Sequence, residues 1–306
     1  MPLNREALYN QSPMQTIPFT KVQGAGNDFV LVDGRARDLD WSALAAEICT
    51  RHFGVGSDGL LILRDSDCAP VRMVMYNPDG SLSEMCGNGL RCFVKYAVER
   101  GGILAADGPA ADGRLDVETG AGVLRASFDA SGGSIDRVRI SMGAPGLTAQ
   151  SVPVVAASAE PVIGLPLDID GETYAVTCVS MGNPHAVHFT ETPVDEVALD
   201  RVGPEVEHDA HFPNRTNFEI VNVLAPNHLR ARVWERGVGL TLACGTGACA
   251  ILVAARLSGL ADQQATVSLP GGDLELEWDG DPASSVYLEG PAAYVFDGEW
   301  TLNGHA

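Results

Sequence analysis

Residues 86–89 read Cys-Gly-Asn-Gly, and residues 244–247 repeat the pattern as Cys-Gly-Thr-Gly roughly half a chain length later. Residues 26–32 are echoed at residues 182–188 with nearly the same separation. Self-similarity at one spacing indicates a repeated structural unit. We therefore predict two halves of similar fold, with the two Cys-Gly-x-Gly segments at equivalent positions.

A helical segment follows each of these motifs. After the first, apolar residues at Leu90, Phe93 and Val94 have the spacing of a helix that packs on one side. After the second, residues 248–255 are apolar all round, which predicts a helix surrounded by strands. One further helical period covers residues 41–51.

Strand-like runs outnumber the helical segments. They cover residues 29–32, 60–63, 71–76, 123–128, 138–142, 174–179, 218–224, 229–235, 274–278, 286–289 and 294–296. This pattern predicts an α+β fold of mainly antiparallel sheets rather than regular βαβ alternation. We expect each half to wrap its sheet around one central helix, with the active site in the cleft between the halves.

The chain divides at a turn. Residues 142–146 contain Gly and Pro, which break both helix and strand. We predict an N-terminal α+β half at residues 16–143 and a C-terminal α+β half at residues 144–291. Residues 1–15 have no apolar core of a secretory signal and form an N-terminal extension in this interpretation.

Composition and charge restrict the partners. The 306 residues carry 20 Lys and Arg against 40 Asp and Glu, a formal charge of −20. Such a field repels phosphate backbones and anionic lipid surfaces, so we expect neither a nucleic-acid partner nor a membrane partner. The longest apolar run, residues 248–255, is too short to span a bilayer. Seven cysteines, odd in number and widely spread, favour the reducing cytoplasm over a disulfide framework.

Two common cofactor signals are weak in this chain. A pyridoxal-phosphate enzyme needs a Schiff-base lysine, and Lys21 and Lys95 are the only lysines in the sequence. Residues 54–59 match the dinucleotide pattern G-x-G-x-x-G, but a helical segment precedes them and a strand follows. The nucleotide fingerprint needs the reverse order, so we interpret this segment as a helix-to-strand turn.

The Cys-Gly-x-Gly motifs carry the chemistry. Each places a thiol beside the first-turn N–H groups of the helix it opens, and those donors can lower a thiol pKa and bind a carboxylate. The glycines let backbone amides approach a ligand closely. Two such helix ends could converge on one carboxylate, with Cys86 and Cys244 on either side of it. That arrangement would suit inversion of the stereocentre next to the carboxylate. One cysteine, as thiolate, would remove the α-proton, and the other, as thiol, would deliver a proton to the opposite face.

Other interpretations of the cysteines are weaker. Buried cysteines usually act as small apolar residues, and we assign that role to Cys49, Cys68, Cys92, Cys178 and Cys249. A zinc site would need thiolates and imidazoles at ligand spacing. The separation of residues 244 and 249 falls in that range, but the pair is isolated on an apolar helix. We expect no metal site.

Several further segments, in order, make the chain resemble the diaminopimelate epimerase family. The matching segments are residues 24–29, 53–59, 76–81, 85–92, 182–185, 215–217, 235–237 and 243–249. The resemblance covers residues 17–302 and implies a cofactor-independent amino-acid epimerase that interconverts LL- and meso-diaminopimelate for lysine and cell-wall precursor synthesis. It also implies that residues 292–304 return to the first half and that the enzyme is a homodimer.

The resemblance assigns roles residue by residue. Cys86 and Cys244 become the catalytic acid–base pair, and His185 and Glu235 become their supporting polar partners. Amides at residues 87, 88, 245 and 246 would hold the reacting carboxylate, and Arg236 would bind the distal one through its planar fork. The implied substrate-binding residues are Asn27, Asn77, Gly87, Asn88, Asn183, Asn217, Glu235, Arg236, Gly245 and Thr246.

One departure and two alternatives remain. Leu240 stands before Thr241 where the family often has Glu, which removes any hydrogen bond that the Glu would make. A related two-thiol racemase acting on proline or hydroxyproline would use the same acid–base pair, and Arg236 with several asparagines argues for a second zwitterionic end instead. A non-catalytic redox or metal-binding protein would use the same thiols and would not act on the α-carbon of an amino acid.

Overall fold

A computed structural model describes residues 15–103, 113–130, 133–156 and 160–302. Of the predicted N-terminal extension, residues 1–14 lie outside the described residues. Within the described ranges, no helix combines the length and the apolar character needed to cross a membrane.

The described residues form four helices and eighteen strands. The helices are α1 (Trp41–Ile48), α2 (Gly87–Glu99), α3 (Leu199–Glu207) and α4 (Gly245–Leu257). The strands are β1 (Thr16–Gly24), β2 (Asn27–Asp33), β3 (Leu60–Arg64), β4 (Val71–Tyr76), β5 (Leu82–Ser83), β6 (Arg114–Thr119), β7 (Gly122–Phe128), β8 (Arg137–Ser141), β9 (Leu165–Ile169), β10 (Glu172–Ser180), β11 (Pro184–Phe189), β12 (Asn217–Ala225), β13 (His228–Glu235), β14 (Gly239–Thr241), β15 (Gln264–Leu269), β16 (Gly272–Glu277), β17 (Tyr287–Pro291) and β18 (Ala293–Thr301).

Strand pairing repeats between the two halves. Hydrogen-bonded neighbours run β18-β1-β2-β3-β4-β6-β7-β8 in the first half. They run β9-β10-β11-β12-β13-β15-β16-β17 in the second half, and β8 pairs with β17. The final strand β18 thus pairs with β1.

Parallel pairs occur at equivalent places in both halves. They are β2–β3 and β4–β6 in the first half, and β11–β12 and β13–β15 in the second. A helix lies between the two strands of each parallel pair in the sequence, because parallel neighbours need a crossover connection. The remaining pairs are antiparallel, and the predicted α+β fold class with two similar halves is confirmed.

The central helices α2 and α4 occupy one continuous apolar core. Every residue from 248 to 255 is fully buried, as the absence of a polar face in that segment predicts. Phe93 and Leu90 of α2 are also fully buried in the same core. Two smaller cores lie under α1 and α3. The core therefore holds the amino ends of α2 and α4 in fixed positions.

Local capping explains where the helices begin. The side chain of Asp40 caps α1 by accepting a hydrogen bond from the amide of Ala43 at 3.0 Å. At α2 and α4 the N-cap positions belong to Cys86 and Cys244, both with extended backbone. A thiol is a weak acceptor compared with the usual Ser, Thr, Asp or Asn, so these caps cost stability. Cysteine at both caps is therefore better explained by chemistry than by helix stability.

Candidate active site

The two N-cap cysteines lie at helix ends that meet. A Cβ atom placed on Gly245 would lie 3.8 Å from Cα of Gly87 and 3.6 Å from Oδ1 of Asn88. The first turns of α4 and α2 therefore approach within van der Waals distance of each other. Their unpaired N–H groups carry partial positive charge, so the junction suits a carboxylate.

A cavity of about 960 Å³ opens at this junction. Both thiols line it, so the predicted pair shares one space. The other predicted site residues that line it are Asn27, Asn77, Gly87, Asn88, Asn183, Glu235, Arg236, Gly245 and Thr246. His185 and Asn217 lie behind its wall, almost completely buried, where each contacts residues that do line it.

Asn27 organises the side of the cavity around Cys86. Its Oδ1 accepts hydrogen bonds from Cys86 Sγ at 3.6 Å and from Asn88 Nδ2 at 3.2 Å. Its Nδ2 donates to Asp58 Oδ2 at 2.6 Å. Asp58 is in turn held by Arg51, whose Nη2 lies 2.7 Å from Asp58 Oδ1. A charged pair thus fixes the amide that contacts the first thiol.

Asn183 has the equivalent place beside Cys244, with different neighbours. Cys244 Sγ lies 3.5 Å from Thr246 Oγ1, which accepts a hydrogen bond from Asn183 Nδ2 at 3.3 Å. His185 Nε2 lies 3.0 Å from Asn183 Oδ1, and His185 Nδ1 lies 2.7 Å from Glu219 Oε1. The second thiol is therefore connected to a fully buried His–Glu pair.

Asn217 lies behind the cavity wall and holds the backbone of Arg236. Asn217 Nδ2 donates to the carbonyl of Pro184 at 2.7 Å, and Asn217 Oδ1 accepts from the backbone N–H of Arg236 at 2.9 Å. Both polar ends of this amide are thus used to hold the backbone. The guanidinium of Arg236 donates to the carbonyl of Asn214 at 3.1 Å and lines the cavity.

Comparison with known proteins identifies the family. The family profile described as diaminopimelate epimerase matches residues 19–148 and 177–295. The diaminopimelate epimerase of Moorella thermoacetica is 46% identical over 288 residues, covering 93% of this chain and 99% of that protein. That of Thermosynechococcus vestitus is 47% identical over 296 residues, covering 92% and 99%. The chain belongs to the diaminopimelate epimerase family.

Solved structures show the same fold at low sequence identity. A hydroxyproline epimerase from Agrobacterium vitis, with bound trans-4-hydroxy-L-proline, superposes with a TM-score of 0.70 at 13% identity, covering 95% of this chain and 94% of that one. A Bacillus anthracis phenazine biosynthesis protein of the PhzF family gives 0.68 at 18% identity, covering 94% and 100%. These likenesses establish the fold only.

Burial governs the acidity of the two thiols. It raises the pKa of Cys86 and, by more, that of Cys244, and the negative charge of Glu235 raises both pKa values further. Around Cys244, hydrogen bonds from the Thr246 hydroxyl and the Gly247 amide oppose this effect. Around Cys86, hydrogen bonds from the backbone amides of Gly89 and Asn88 do the same. Each thiol therefore has a raised pKa but also has hydrogen-bond donors that can stabilise its thiolate.

Glu235 is itself held close to the second thiol. Its Oε1 accepts a hydrogen bond from Thr241 Oγ1 at 2.6 Å. Burial raises the pKa of this carboxyl, and hydrogen bonds from Thr241 and Cys244 partly oppose that shift. The neighbouring Leu240 is half exposed at the cavity edge, and its apolar side chain can make no such bond.

Cysteines outside the cavity behave differently. Burial raises the pKa of Cys92 and of Cys178 to about 12. Cys249, the residue in the alternative zinc interpretation, is fully buried within α4. All seven cysteines are free. Cys49, Cys92, Cys178 and Cys249 are buried away from the cavity, as expected for small apolar residues, whereas Cys68 is exposed, so the buried apolar role predicted for it is wrong.

The lysines are both committed elsewhere. Lys21 contacts the carboxylate of Asp28 and the carbonyl of Gly56. Lys95 donates to Glu99 Oε1 at 3.0 Å and to the carbonyl of Ile135 at 2.9 Å. Neither side chain is among those that line the cavity within the described residues.

Sequence reasoning missed three functional candidates. Arg51 and Asp58 line the cavity, although the sequence predicts Arg51 at the end of a helix and Asp58 within a helix-to-strand turn, with no site role for either. Glu219 lies behind Cys244, and a Cβ on Gly247 would be 2.9 Å from its Oε1. The available signal for Glu219 was an acidic residue inside the otherwise apolar strand at residues 218–221.

Proposed function

We propose that this enzyme interconverts LL- and meso-2,6-diaminopimelate without a cofactor, using Cys86 and Cys244 as its acid–base pair. The observation that carries the proposal is the shared cavity, into which two cysteine-capped helices open at their amino ends. A single carboxylate at that junction would have its α-carbon beside both thiols. Family membership supplies the substrate.

The helix ends stabilise the charge that develops. The amides of Gly87, Asn88, Gly245 and Thr246 bind the reacting carboxylate. When the α-proton leaves, negative charge spreads from the α-carbon into that carboxylate, where the fixed amide dipoles meet it. Because the α-proton is only weakly acidic, we expect this preorganised electrostatic stabilisation to make the largest contribution to lowering the activation barrier.

The thiols then exchange protons on opposite faces. One cysteine, as thiolate, takes the α-proton and becomes a thiol, while the other, as thiol, gives its proton to the opposite face and becomes a thiolate. The configuration at the α-carbon inverts and the net charge of the pair does not change. A raised thiol pKa makes each thiolate a stronger base, which favours removal of a weakly acidic proton.

The rest of the cavity recognises the distal end of the substrate. We assign the distal carboxylate to Arg236, since a guanidinium can bind it with two parallel hydrogen bonds. Asn27, Asn77 and Asn183 line the cavity and supply polar contacts. Asn217 acts through the backbone of Arg236, which it holds at 2.9 Å. Asn77 is constrained by its bond to Ser81 Oγ at 2.9 Å.

The two halves form the opposing walls of the cavity in this proposal. The predicted boundaries are residues 16–143 and 144–291, with residues 292–304 returning to the first half, and residues 303 and 304 of that return lie outside the described residues. The pairing of β18 with β1 along residues 293–301 supports that return.

We further propose a homodimer that works in the cytoplasm on lysine and peptidoglycan precursors. Strand β18 pairs with β1 alone among the described strands, and its Val295 and Phe296 side chains are about half exposed. An apolar edge strand of this kind favours pairing with a second copy. The free state of all seven cysteines supports a reducing compartment.

An NMR experiment tests the function. Reduced protein is incubated with LL-diaminopimelate in D₂O, with proline in a parallel tube. We expect deuterium at the α-carbon together with meso product, and no product from Cys86→Ala or Cys244→Ala. Turnover of proline but not of diaminopimelate would replace the substrate and keep the mechanism. Inactivity towards both by folded, reduced protein would refute the proposal.

A further inference from the structure

The two halves place different groups behind the two thiols. On the Cys86 side, a Cβ on Gly89 would lie 3.3 Å from Leu61 Cδ2 and 3.5 Å from both Phe29 Cζ and Cys86 Cβ. The neighbours behind this helix turn are therefore apolar. The side chains of Leu61 and Phe29 can carry neither a proton nor a charge.

On the Cys244 side the equivalent turn faces a carboxylate. A Cβ on Gly247 would lie 2.9 Å from Glu219 Oε1 and 3.3 Å from Cys244 Sγ. Strand register shows that the positions correspond, because Leu61 pairs with a residue four positions after Asn27, and Glu219 pairs with a residue four positions after Asn183. Glu219 therefore replaces a leucine and His185 replaces a phenylalanine.

The buried carboxyl of Glu219 has few hydrogen bonds to offset its loss of hydration. It is fully inaccessible to solvent, and its Oε2 has no hydrogen-bond partner among the described residues. The titratable groups that face it are His185 on β11, Glu235 on β13 and Cys244 at the start of α4. Burial raises the pKa of the Glu219 carboxyl, and His185 opposes the shift. Leucine would cost less here, so this acid calls for a functional explanation.

Hydrogen-bond direction determines the charge of the pair. Asn183 Nδ2 donates to Thr246, so its Oδ1 must accept a hydrogen from His185 Nε2. The 2.7 Å bond between His185 Nδ1 and Glu219 Oε1 requires a second proton between those atoms. With protons on both sides of the imidazole, the His–Glu pair has no net charge.

The same direction continues to the sulfur. Thr246 Oγ1 accepts from Asn183, which leaves its own hydrogen free to donate to Cys244 Sγ. The donors therefore run from His185 through Asn183 and Thr246 and end on the thiol, where they stabilise a thiolate. In the other half the order is reversed, because Cys86 donates to Asn27 and Asn27 donates to Asp58.

We propose that Glu219 is a positioning residue for Cys244. Glu219 shares one proton with His185 and thereby keeps a hydrogen on His185 Nε2. That hydrogen orients Asn183 and Thr246 as donors towards the Cys244 sulfur. The His–Glu pair places no net charge behind the sulfur. The catalytic use of this arrangement rests on the proposed function, in which Cys244 must form a thiolate in each cycle.

The test measures thiolate formation at each cysteine separately. Iodoacetamide alkylation is followed against pH on the Cys244 peptide by mass spectrometry, in a Cys86→Ala background. Glu219→Leu reproduces the residue of the other half, and Glu219→Gln keeps the size and can donate to His185 Nδ1. The matched control follows the Cys86 peptide in a Cys244→Ala background with the same Glu219 changes.

We expect Glu219→Leu to raise the alkylation midpoint of Cys244 by about one pH unit, since the thiolate loses an oriented hydrogen bond. Glu219→Gln should restore the original midpoint, and Cys86 should not shift in any variant. A lower midpoint in either variant would show that Glu219 is an anion and overturn the proposal. An unchanged midpoint in Glu219→Leu would also overturn it, by leaving Glu219 a structural role only.

A second variant guards against misfolding. His185→Phe/Glu219→Leu copies the apolar pair behind Cys86 and should pack where the single leucine variant does not. The proposal expects the same upward shift of the Cys244 midpoint from this variant, and no shift would contradict it. For turnover, we expect kcat to fall about 10- to 100-fold in Glu219→Leu and to recover largely in Glu219→Gln. The alkylation result does not depend on the substrate, so failure of the epimerase assignment would leave it interpretable.

Discussion

Replacing Gly245 by alanine should separate the stability of this protein from its activity. A Cβ at this position would lie 3.6 Å from Asn88 Oδ1, 3.6 Å from Leu288 Cδ1 and 3.8 Å from Gly87 Cα, all ordinary contact distances. Alanine also has a better helix propensity than glycine, by up to about 1 kcal/mol in a helix interior. We therefore expect the free energy of unfolding of Gly245→Ala to equal or slightly exceed that of the wild type.

The same methyl group would occupy the junction where the substrate carboxylate is proposed to bind. If the methyl group prevents two helix-end amides from donating to the substrate carboxylate, at about 1.5–3 kcal/mol for each hydrogen bond, kcat/KM should fall about 10²- to 10⁴-fold. The assay combines urea unfolding with initial rates of meso product formation. Gly247→Ala, on the same helical turn, provides the contrast: its Cβ would lie 2.9 Å from Glu219 Oε1, so it should lose about 1–3 kcal/mol of stability.

One result would refute this reasoning directly. If Gly245→Ala unfolds normally and keeps kcat/KM within about threefold of the wild type, the carboxylate does not bind between the helix ends. Equal destabilisation of Gly245→Ala and Gly247→Ala would show instead that the close approach of α2 and α4 serves packing.

Three further predictions follow from contacts and pKa shifts. Arg236→Lys should raise KM about tenfold or more with a smaller change in kcat, because an ammonium cannot bind the distal carboxylate with a planar fork; steady-state kinetics checks this. Since the pKa of Cys86 and of Cys244 is raised, kcat/KM should increase between pH 7 and pH 9 in a pH–rate profile, and a flat profile would contradict the raised pKa values. Burial raises the pKa of the Cys178 thiol to about 12 in the folded state, against 9.0 for an ordinary thiol. The stability that comes from keeping this thiol protonated is therefore complete below about pH 9 and is lost as the pH rises towards 12. Cys178→Ala should therefore flatten the alkaline fall in the free energy of unfolding, measured in urea under reducing conditions.

The sequence alone predicted the features that depend on local pattern. The apolar stretch at residues 248–255 predicted a fully enclosed helix, and α4 is enclosed. The paired Cys-Gly-x-Gly motifs predicted thiols at helix starts, and Cys86 and Cys244 are N-caps. Such features could be predicted because helical period and capping position are properties of neighbouring residues.

Helix α3 shows where local pattern is ambiguous. Leu199, Val202 and Val206 have helical spacing, but Gly203 and Pro204 lie between them and normally break a helix. The glycine is explained only by tertiary structure, because a Cβ there would lie 2.5 Å from the ring of Trp234. That contact joins residues distant in sequence and leaves no periodic signal.

The sequence prediction named most of the polar residues that line the cavity, and His185 and Asn217 behind its wall, but it missed Asp58 in the lining and Glu219 behind it. Asp58 was hidden in a glycine-rich turn, and its role depends on reaching Asn27 across 31 positions. Glu219 was hidden in a strand, and its role depends on pairing with His185 across 34 positions. Hydrogen bonds of this range are set by strand register, which a single sequence does not reveal.

Stereospecific exchange in D₂O with single cysteine variants shows whether two thiols act on opposite faces of one α-carbon. Each variant retains one thiol, which can remove and return a hydrogen on one face only. We predict that neither Cys86→Ala nor Cys244→Ala epimerises, that one exchanges the α-hydrogen of LL-diaminopimelate with retention, and that the other does so for the meso compound. Exchange of the same isomer by both variants, or epimerisation by either, would contradict the account.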